Sequence, residues 1–254
     1  MKRWFWTVSI AAMVCAGLAS GPILGRSMLD KTTSADTDRA AAAATRVRPG
    51  LQAALARQGI AWGAPAFVRV FKRESELELW LQGADGRYVL FKHYPICTFS
   101  GALGPKTRQG DNQAPEGFYR VARGQLNPRS QFHLAFNLGY PNAYDRAHGY
   151  TGDFLMIHGN CVSTGCYAMG DAAIEEIYTL VDAALTAGQD AVDVHAFPFR
   201  LETDALNAQQ GAAAFHFWSE LKPGYDAFER TRMPPRIDVV GKAYRVHESK
   251  RKPQ

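Results

Sequence analysis

The sequence predicts an α+β fold: a β-rich core with one central helix and additional helices toward both termini. Two patterns predict it. Short runs alternate apolar and polar residues from Pro65 onward, as in Phe67-Val68-Arg69-Val70-Phe71 and Leu77-Glu78-Leu79-Trp80-Leu81, the period of half-buried strands. Residues 171–187 instead place Ile174, Ile177, Tyr178, Val181 and Leu185 on one helical face, with Gly188 to end the helix. No internal repeat interrupts this order.

Taken from the N-terminus, residues 26–45 are polar and Ala-rich and read as a linker or frayed helix. Pro49 then suits the first turn of a short helix, with Leu51, Ala54 and Leu55 on one face and Gly59 at its end. Strands are expected at 67–71, 77–81 and 88–96, the last two joined by a turn at Gly83–Gly86. Residues 100–113, rich in Gly, Pro and polar residues, form a long loop. Further strands are expected at 117–121, 132–138 and 154–158, the last two separated by a loop at 139–152. After the 171–187 helix come a strand at 192–197 and two amphipathic helical pieces, 212–221 and 223–232. Pro234-Pro235 stops the second piece, and a hairpin around Gly241 closes the chain. The domain reading is residues 1–25 as a signal peptide or membrane anchor, 26–64 as linker and N-terminal helix, 65–199 as the main domain, and 200–254 as a helical extension and hairpin packed on it.

The chain has 254 residues, 46% hydrophobic and 21% charged, an ordinary globular composition. Its net charge is +5, with basic residues gathered at the ends (Lys2, Arg3; Lys250, Arg251, Lys252). No folded segment carries a dense basic stripe, which argues against nucleic acid. A weakly basic surface suits an anionic polymer such as a cell wall. Lys2 and Arg3 precede an uncharged stretch from Trp4 to Gly25, an export signal with small residues placed for cleavage after Ala19. An uncleaved anchor in the inner membrane is the alternative, and membrane contact is expected only through this segment. The expected location is the periplasm.

Export leads to an oxidising compartment. The mature chain keeps Cys97, Cys161 and Cys166, an odd number. One structural pair plus one nucleophile is the simplest accounting; three free buried thiols is the alternative. The densest chemistry lies in His158-Gly159-Asn160-Cys161-Val162-Ser163-Thr164-Gly165-Cys166, which follows the apolar run Phe154-Leu155-Met156-Ile157. Cys166 suits a thiol nucleophile. Gly165 lets the backbone approach a ligand, a helix expected to follow would favour thiolate, and the strand-borne His158 can take the thiol proton. A zinc reading would use His158, Cys161 and Cys166, but no fourth ligand is evident. No metal and no cofactor are therefore expected.

These residues resemble the L,D-transpeptidase catalytic domain of the YkuD type, and in particular its YafK-like subgroup of peptidoglycan enzymes. The resemblance rests on His158-Gly159-Asn160-Cys161 and Ser163-Thr164-Gly165-Cys166. Tyr94-Pro95-Ile96-Cys97, Ser100-Gly101-Ala102-Leu103-Gly104-Pro105-Lys106 and Pro115-Glu116-Gly117-Phe118-Tyr119 extend it. Phe197-Pro198-Phe199-Arg200 and Gly224-Tyr225-Asp226-Ala227-Phe228-Glu229 carry it into the tail. Three departures stand out: only four residues separate His158 from Ser163, Thr164 replaces the histidine of the wider family's motif, and Ala168 stands where many members carry Asn or Arg.

The resemblance implies that residues 65–199 are the catalytic domain. It implies cleavage of a peptidoglycan stem peptide through a thioester on Cys166, with His158 as base and then acid. The N–H groups of Gly165 and Cys166 are candidate oxyanion donors. Ser163, Gly159, Thr164, Tyr140 and His148 are candidate substrate contacts. With Cys166 reserved for chemistry, Cys97 and Cys161 are expected to lie close together and to form a disulfide. Three functions follow: an acyltransferase that remodels the wall, a hydrolase on the same fold that releases a wall-linked lipoprotein, and a non-catalytic wall-binding module. Retention of both His158 and Cys166 argues against the third.

Overall fold

The computed structural model describes residues 26–249, with side chains from residue 39. The expected signal or anchor at 1–25 and the basic tail lie outside the described residues. The chain divides into two compact units at Ala35/Asp36. The first contributes only helical residues 26–35 to the description, the start of a helix described below; every side-chain contact below concerns the second. Among the described residues, no helix is long and apolar enough to cross a membrane.

The mixed fold is α+β, as expected. Strands β1 (Ala66–Phe71), β2 (Glu76–Gln82), β3 (Tyr88–Pro95), β5 (Gly117–Ala122) and β10 (Ala191–Phe197) form one sheet in the order β3-β2-β1-β10-β5. Within it β1 and β10 run parallel and the other pairs antiparallel. A second sheet has five short strands in the order β4-β9-β8-β7-β6: β4 (Thr98–Phe99), β6 (Leu126–Asn127), β7 (Ala135–Asn137), β8 (Met156–His158) and β9 (Tyr167–Ala168). Helix α3 (Asp171–Thr186) is the central helix. Its apolar stripe, Ile174, Ile177, Val181 and Leu185, is buried in one cluster with Val68 and Val194 of the first sheet and Phe136 and Ile157 of the second. A hairpin of β11 (Arg236–Val240) and β12 (Ala243–His247) ends the described chain.

Several elements differ from the sequence reading, each for a local reason. Helix α1 runs from Arg26 to Arg57 and passes through Pro49 instead of starting there. The alanine run 40–44 is the strongest helix former in the chain, and Ala43, Leu51 and Leu55 are buried four or eight residues apart on one stripe. Residues 212–221 and 223–232, expected as two pieces, join as α5 (Phe215–Thr231) around Pro223. The buried stripe Phe217, Trp218, Leu221, Tyr225 and Phe228 holds it together. Helix α2 (Ala143–Ala147) sits inside the expected loop and is started by Asn142 and Asp145, which bond each other's backbone N–H. Helix α4 (Thr203–Asn207) was likewise unforeseen. Two strands are shorter than expected because a non-glycine residue with positive φ interrupts each: His133 at 67° before β7 and Phe154 at 53° before β8.

Candidate active site

The site is built where β8 and β9 run side by side. Their parallel register pairs Ile157 with Tyr167 and His158 with Ala168. Continued one step, it sets Met156 beside Cys166, which immediately precedes β9, so His158 and Cys166 project from the same sheet face. Ile157 and Tyr167 point the other way and are fully buried. The Tyr167 hydroxyl anchors that side by donating to the Pro115 carbonyl at 2.6 Å.

Cys166 is the free cysteine among the described residues and is half-buried. The Met156 N–H points at its sulfur at 3.4 Å, and its thiol faces the Phe154 carbonyl at 3.6 Å. The Ser163 hydroxyl brackets its backbone, donating to the Cys166 carbonyl at 2.7 Å and accepting from its N–H at 3.0 Å. Ser163 thus shapes the turn, and one of the two expected oxyanion donors is already engaged. Gly165 adopts φ +120°, which a side chain resists, and an added Cβ there would lie 3.2 Å from Leu155. Thr164 and Val162 are exposed on the same turn.

The expected helix does not follow Cys166. Strand β9 does, and α3 starts only at Asp171. The thiol therefore gains no helix dipole. Burial pushes its pKa above the usual value, while the Met156 N–H and the Lys106 charge pull the other way. At rest it is a thiol and not the thiolate the sequence suggested.

His158 is almost fully buried at the end of β8. Its Nδ1 donates to the Gly159 carbonyl at 2.5 Å. A carbonyl only accepts, so the ring proton sits on Nδ1 and Nε2 carries the lone pair. Nε2 is buried without a hydrogen-bond partner. Burial lowers the imidazole pKa, partly opposed by the Gly159 carbonyl, and keeps the ring neutral at pH 7. No hydrogen bond joins Nε2 to the thiol in this resting arrangement. The Phe132 ring stacks on the imidazole at 4.8 Å between centroids.

Gly159 makes these contacts possible. An added Cβ would fall 2.6 Å from Asp171 Oδ1 and 2.8 Å from the Phe132 carbonyl oxygen. The Asp171 carboxylate accepts from the Asn160 N–H at 2.7 Å, and Cys161 forms a disulfide with Cys97, Cα–Cα 5.4 Å. The expected pairing is thus present. It rules out the zinc reading, because Cys161 has no free sulfur to offer as a ligand. Among the described residues the metal-spaced cluster is Glu76, Glu78 and His93, and Arg200 already bridges both carboxylates at 2.8 and 2.7 Å.

The loop at 100–113 is tied down beside the thiol. Asp111 Oδ1 receives Lys106 Nζ at 2.5 Å, and its carboxylate also accepts the N–H groups of Thr107, Arg108 and Gln113. Beneath it Lys72 and Glu116 form a fully buried ion pair at 3.0 Å, and Glu116 also accepts from Gly104 N–H and Trp218 Nε1. Tyr140 is buried and donates to the Lys106 carbonyl at 3.1 Å, so it braces two loops. His148 caps α2, bonds the Tyr144 carbonyl at 3.0 Å and packs on Tyr144 and Tyr150. No hydrogen bond or ring contact joins His148 to Cys166 or His158. The Gly159 carbonyl, Met156 N–H, Phe132 and Phe154 also border the site and are not announced by the sequence. Backbone groups carry no residue-type signal, and the two phenylalanines read as strand residues.

The YkuD family, the L,D-transpeptidase catalytic domain, matches residues 66–194. The chain belongs to this family. It is 51% identical over 185 residues to "Putative L,D-transpeptidase YafK" of Escherichia coli strain K12, covering 72% of this chain and 74% of that protein. The same name, identity and coverage apply to the protein of Escherichia coli O157:H7. Among solved structures, the helical cell shape determining protein Pgp2 of Campylobacter jejuni, as a point mutant, is 22% identical with a TM-score of 0.44. That match covers 65% of this chain, which spans 58% of the solved chain. Family membership makes the protein an enzyme of peptidoglycan metabolism.

Proposed function

We propose that the protein is a cysteine acyltransferase acting on peptidoglycan stem peptides through a thioester on Cys166. The observation that carries this reading is the placement of the unbridged thiol and a neutral imidazole on one sheet face, His158 lying two residues beyond Met156, the register neighbour of Cys166, with its buried Nε2 unpartnered. As the donor peptide seats, the sulfur turns from the Phe154 carbonyl toward Nε2. His158 takes the S–H proton, sulfur bonds to the peptide carbonyl, the C–N bond breaks, and the departing amine leaves with the proton from His158. In the second half-reaction an amine attacks the thioester, His158 accepts its proton, and the thiolate recovers a proton as it leaves. Resting contacts of catalytic groups are commonly longer than reacting ones.

A second reading is favoured by a specific feature. The turn between His158 and Cys166 is short and exposed at Asn160, Cys161, Val162 and Thr164, which leaves one side of the thiol open to water. Water as acceptor would make the protein a hydrolase that releases a wall-linked lipoprotein. On either reading the protein works in the periplasm, exported or anchored through residues 1–25. The deciding experiment gives purified protein a donor muropeptide with rising concentrations of acceptor amine. Transfer predicts an amide product that grows as free acid falls. Constant free acid with no adduct would replace the acyltransferase by the hydrolase.

A further inference from the structure

We propose that Phe132 is a positioning residue for His158: its ring lies over the imidazole as a cover that keeps water off the base and fixes the ring plane. The proposal rests on the assignment of His158 as the base. The two rings stack at 4.8 Å and 28°. The outer ring is 36% exposed, whereas His158 beneath it is 1% exposed. Placed there, the apolar ring replaces solvent above a polar one.

The segment that carries Phe132 is held on purpose-built contacts. The Ser130 hydroxyl accepts the Phe132 N–H at 3.0 Å, a side-chain turn that ends the chain's approach to β7. His133 follows in the left-handed region at φ 67°, and its Nε2 meets Glu175 of α3 at 2.8 Å. From α1, Arg39 Nη1 donates to the Ser130 and His133 carbonyls, each at 3.0 Å. On the other side, the missing Cβ of Gly159 lets the Phe132 carbonyl come close. Two helices and a glycine thus press one aromatic ring onto the candidate base, and the strained His133 backbone accompanies that placement.

The titratable and charged groups around the imidazole are few. Cys166 shares its sheet face. Asp171 of α3 is occupied by the Asn160 N–H. His133 and Glu175 lie behind the loop, with Arg46 of α1 on Glu175 at 2.5 Å and Arg39 on the loop carbonyls. Desolvation is the dominant influence on His158, in the lowering direction. Removing the cover admits water and moves the imidazole back toward its solution value.

The test follows the His158 ring by NMR titration in wild type, Phe132→Ala, Phe132→Leu and Phe132→Tyr, with urea denaturation of each as the stability control. The expected result is an upward shift of the His158 titration in Phe132→Ala. Phe132→Leu should shift less, and Phe132→Tyr should titrate like wild type. With muropeptide substrate, the acid limb of kcat/KM should move by the same amount and in the same order. If Phe132→Ala does not fold, the Phe132→Leu and Phe132→Tyr pair decides by the same comparison. An unchanged His158 titration in a folded Phe132→Ala or Phe132→Leu variant overturns the proposal. So does a loss of activity uniform across pH that tracks stability alone. The NMR arm needs no wall substrate, so a failed function assignment would leave that readout intact and would show separately, as wild type yielding no muropeptide product.

Discussion

Removing the Cys97–Cys161 disulfide tests how the catalytic turn is held. The bridge joins residues 64 apart and fixes the segment between His158 and Cys166 to the lead-in of β4, where the Cys97 N–H also bonds the Ala168 carbonyl at 2.8 Å. For a closed loop of that length, the lost chain entropy of the unfolded state corresponds to about 4 kcal/mol at 25 °C. For a chain of this size such a loss lowers Tm by roughly 8–16 °C. The perturbation is the double variant Cys97→Ser/Cys161→Ser. The assay is urea denaturation followed by circular dichroism at neutral pH, with Cys166→Ser as a control that leaves the bridge intact. The double variant should lose several kcal/mol and the control almost none. A double variant within about 1 kcal/mol of wild type would show that the loop is constrained without the bond.

Other outcomes follow from the same geometry. Gly159→Ala should cost more than about 2 kcal/mol and suppress turnover, because the new Cβ meets the Phe132 carbonyl at 2.8 Å; denaturation and activity measured together check it. Glu116→Ala should cost about 3–5 kcal/mol in thermal or urea unfolding by leaving Lys72, whose pKa burial already lowers, unpaired in the interior. For Asp111, burial raises the carboxyl pKa, but the hydrogen bonds from Lys106, Thr107, Arg108 and Gln113 outweigh it and bring it down to about 2. A depressed carboxylate stabilises the fold above its unfolded pKa, so this contribution should be present above pH 4 and vanish as pH falls through 2. Asp111→Asn should flatten that part of the stability–pH curve.

What could be read from the sequence was what residue type and period encode. The alternation in β1 and β2, the apolar stripe of α3, and the His158 to Cys166 motif all carry their own signal. The three cysteines beyond the expected export signal pointed to a pair plus a free thiol, and the Cys97–Cys161 pair is there. What escaped were features set by backbone geometry and distant packing. Phe154 and His133 looked like strand residues until their positive φ values ended those strands. The helix expected after Cys166 was displaced by two residues of β9, because Tyr167 and Ala168 pair with both β8 and β4. Tyr140 looked like a substrate contact in a loop, yet a partner 34 residues earlier buries it. The group that orients His158 is a main-chain carbonyl, which no side-chain motif can announce.

The proposed function stands or falls with a covalent acyl-enzyme on Cys166. Wild-type protein mixed briefly with a donor muropeptide, quenched in acid and digested, should yield by mass spectrometry a peptide containing Cys166 that carries the stem-peptide acyl group. Cys166→Ala should give neither adduct nor product. Product formation by Cys166→Ala, or wild-type turnover with the acyl group found on another residue, would exclude Cys166 as the nucleophile.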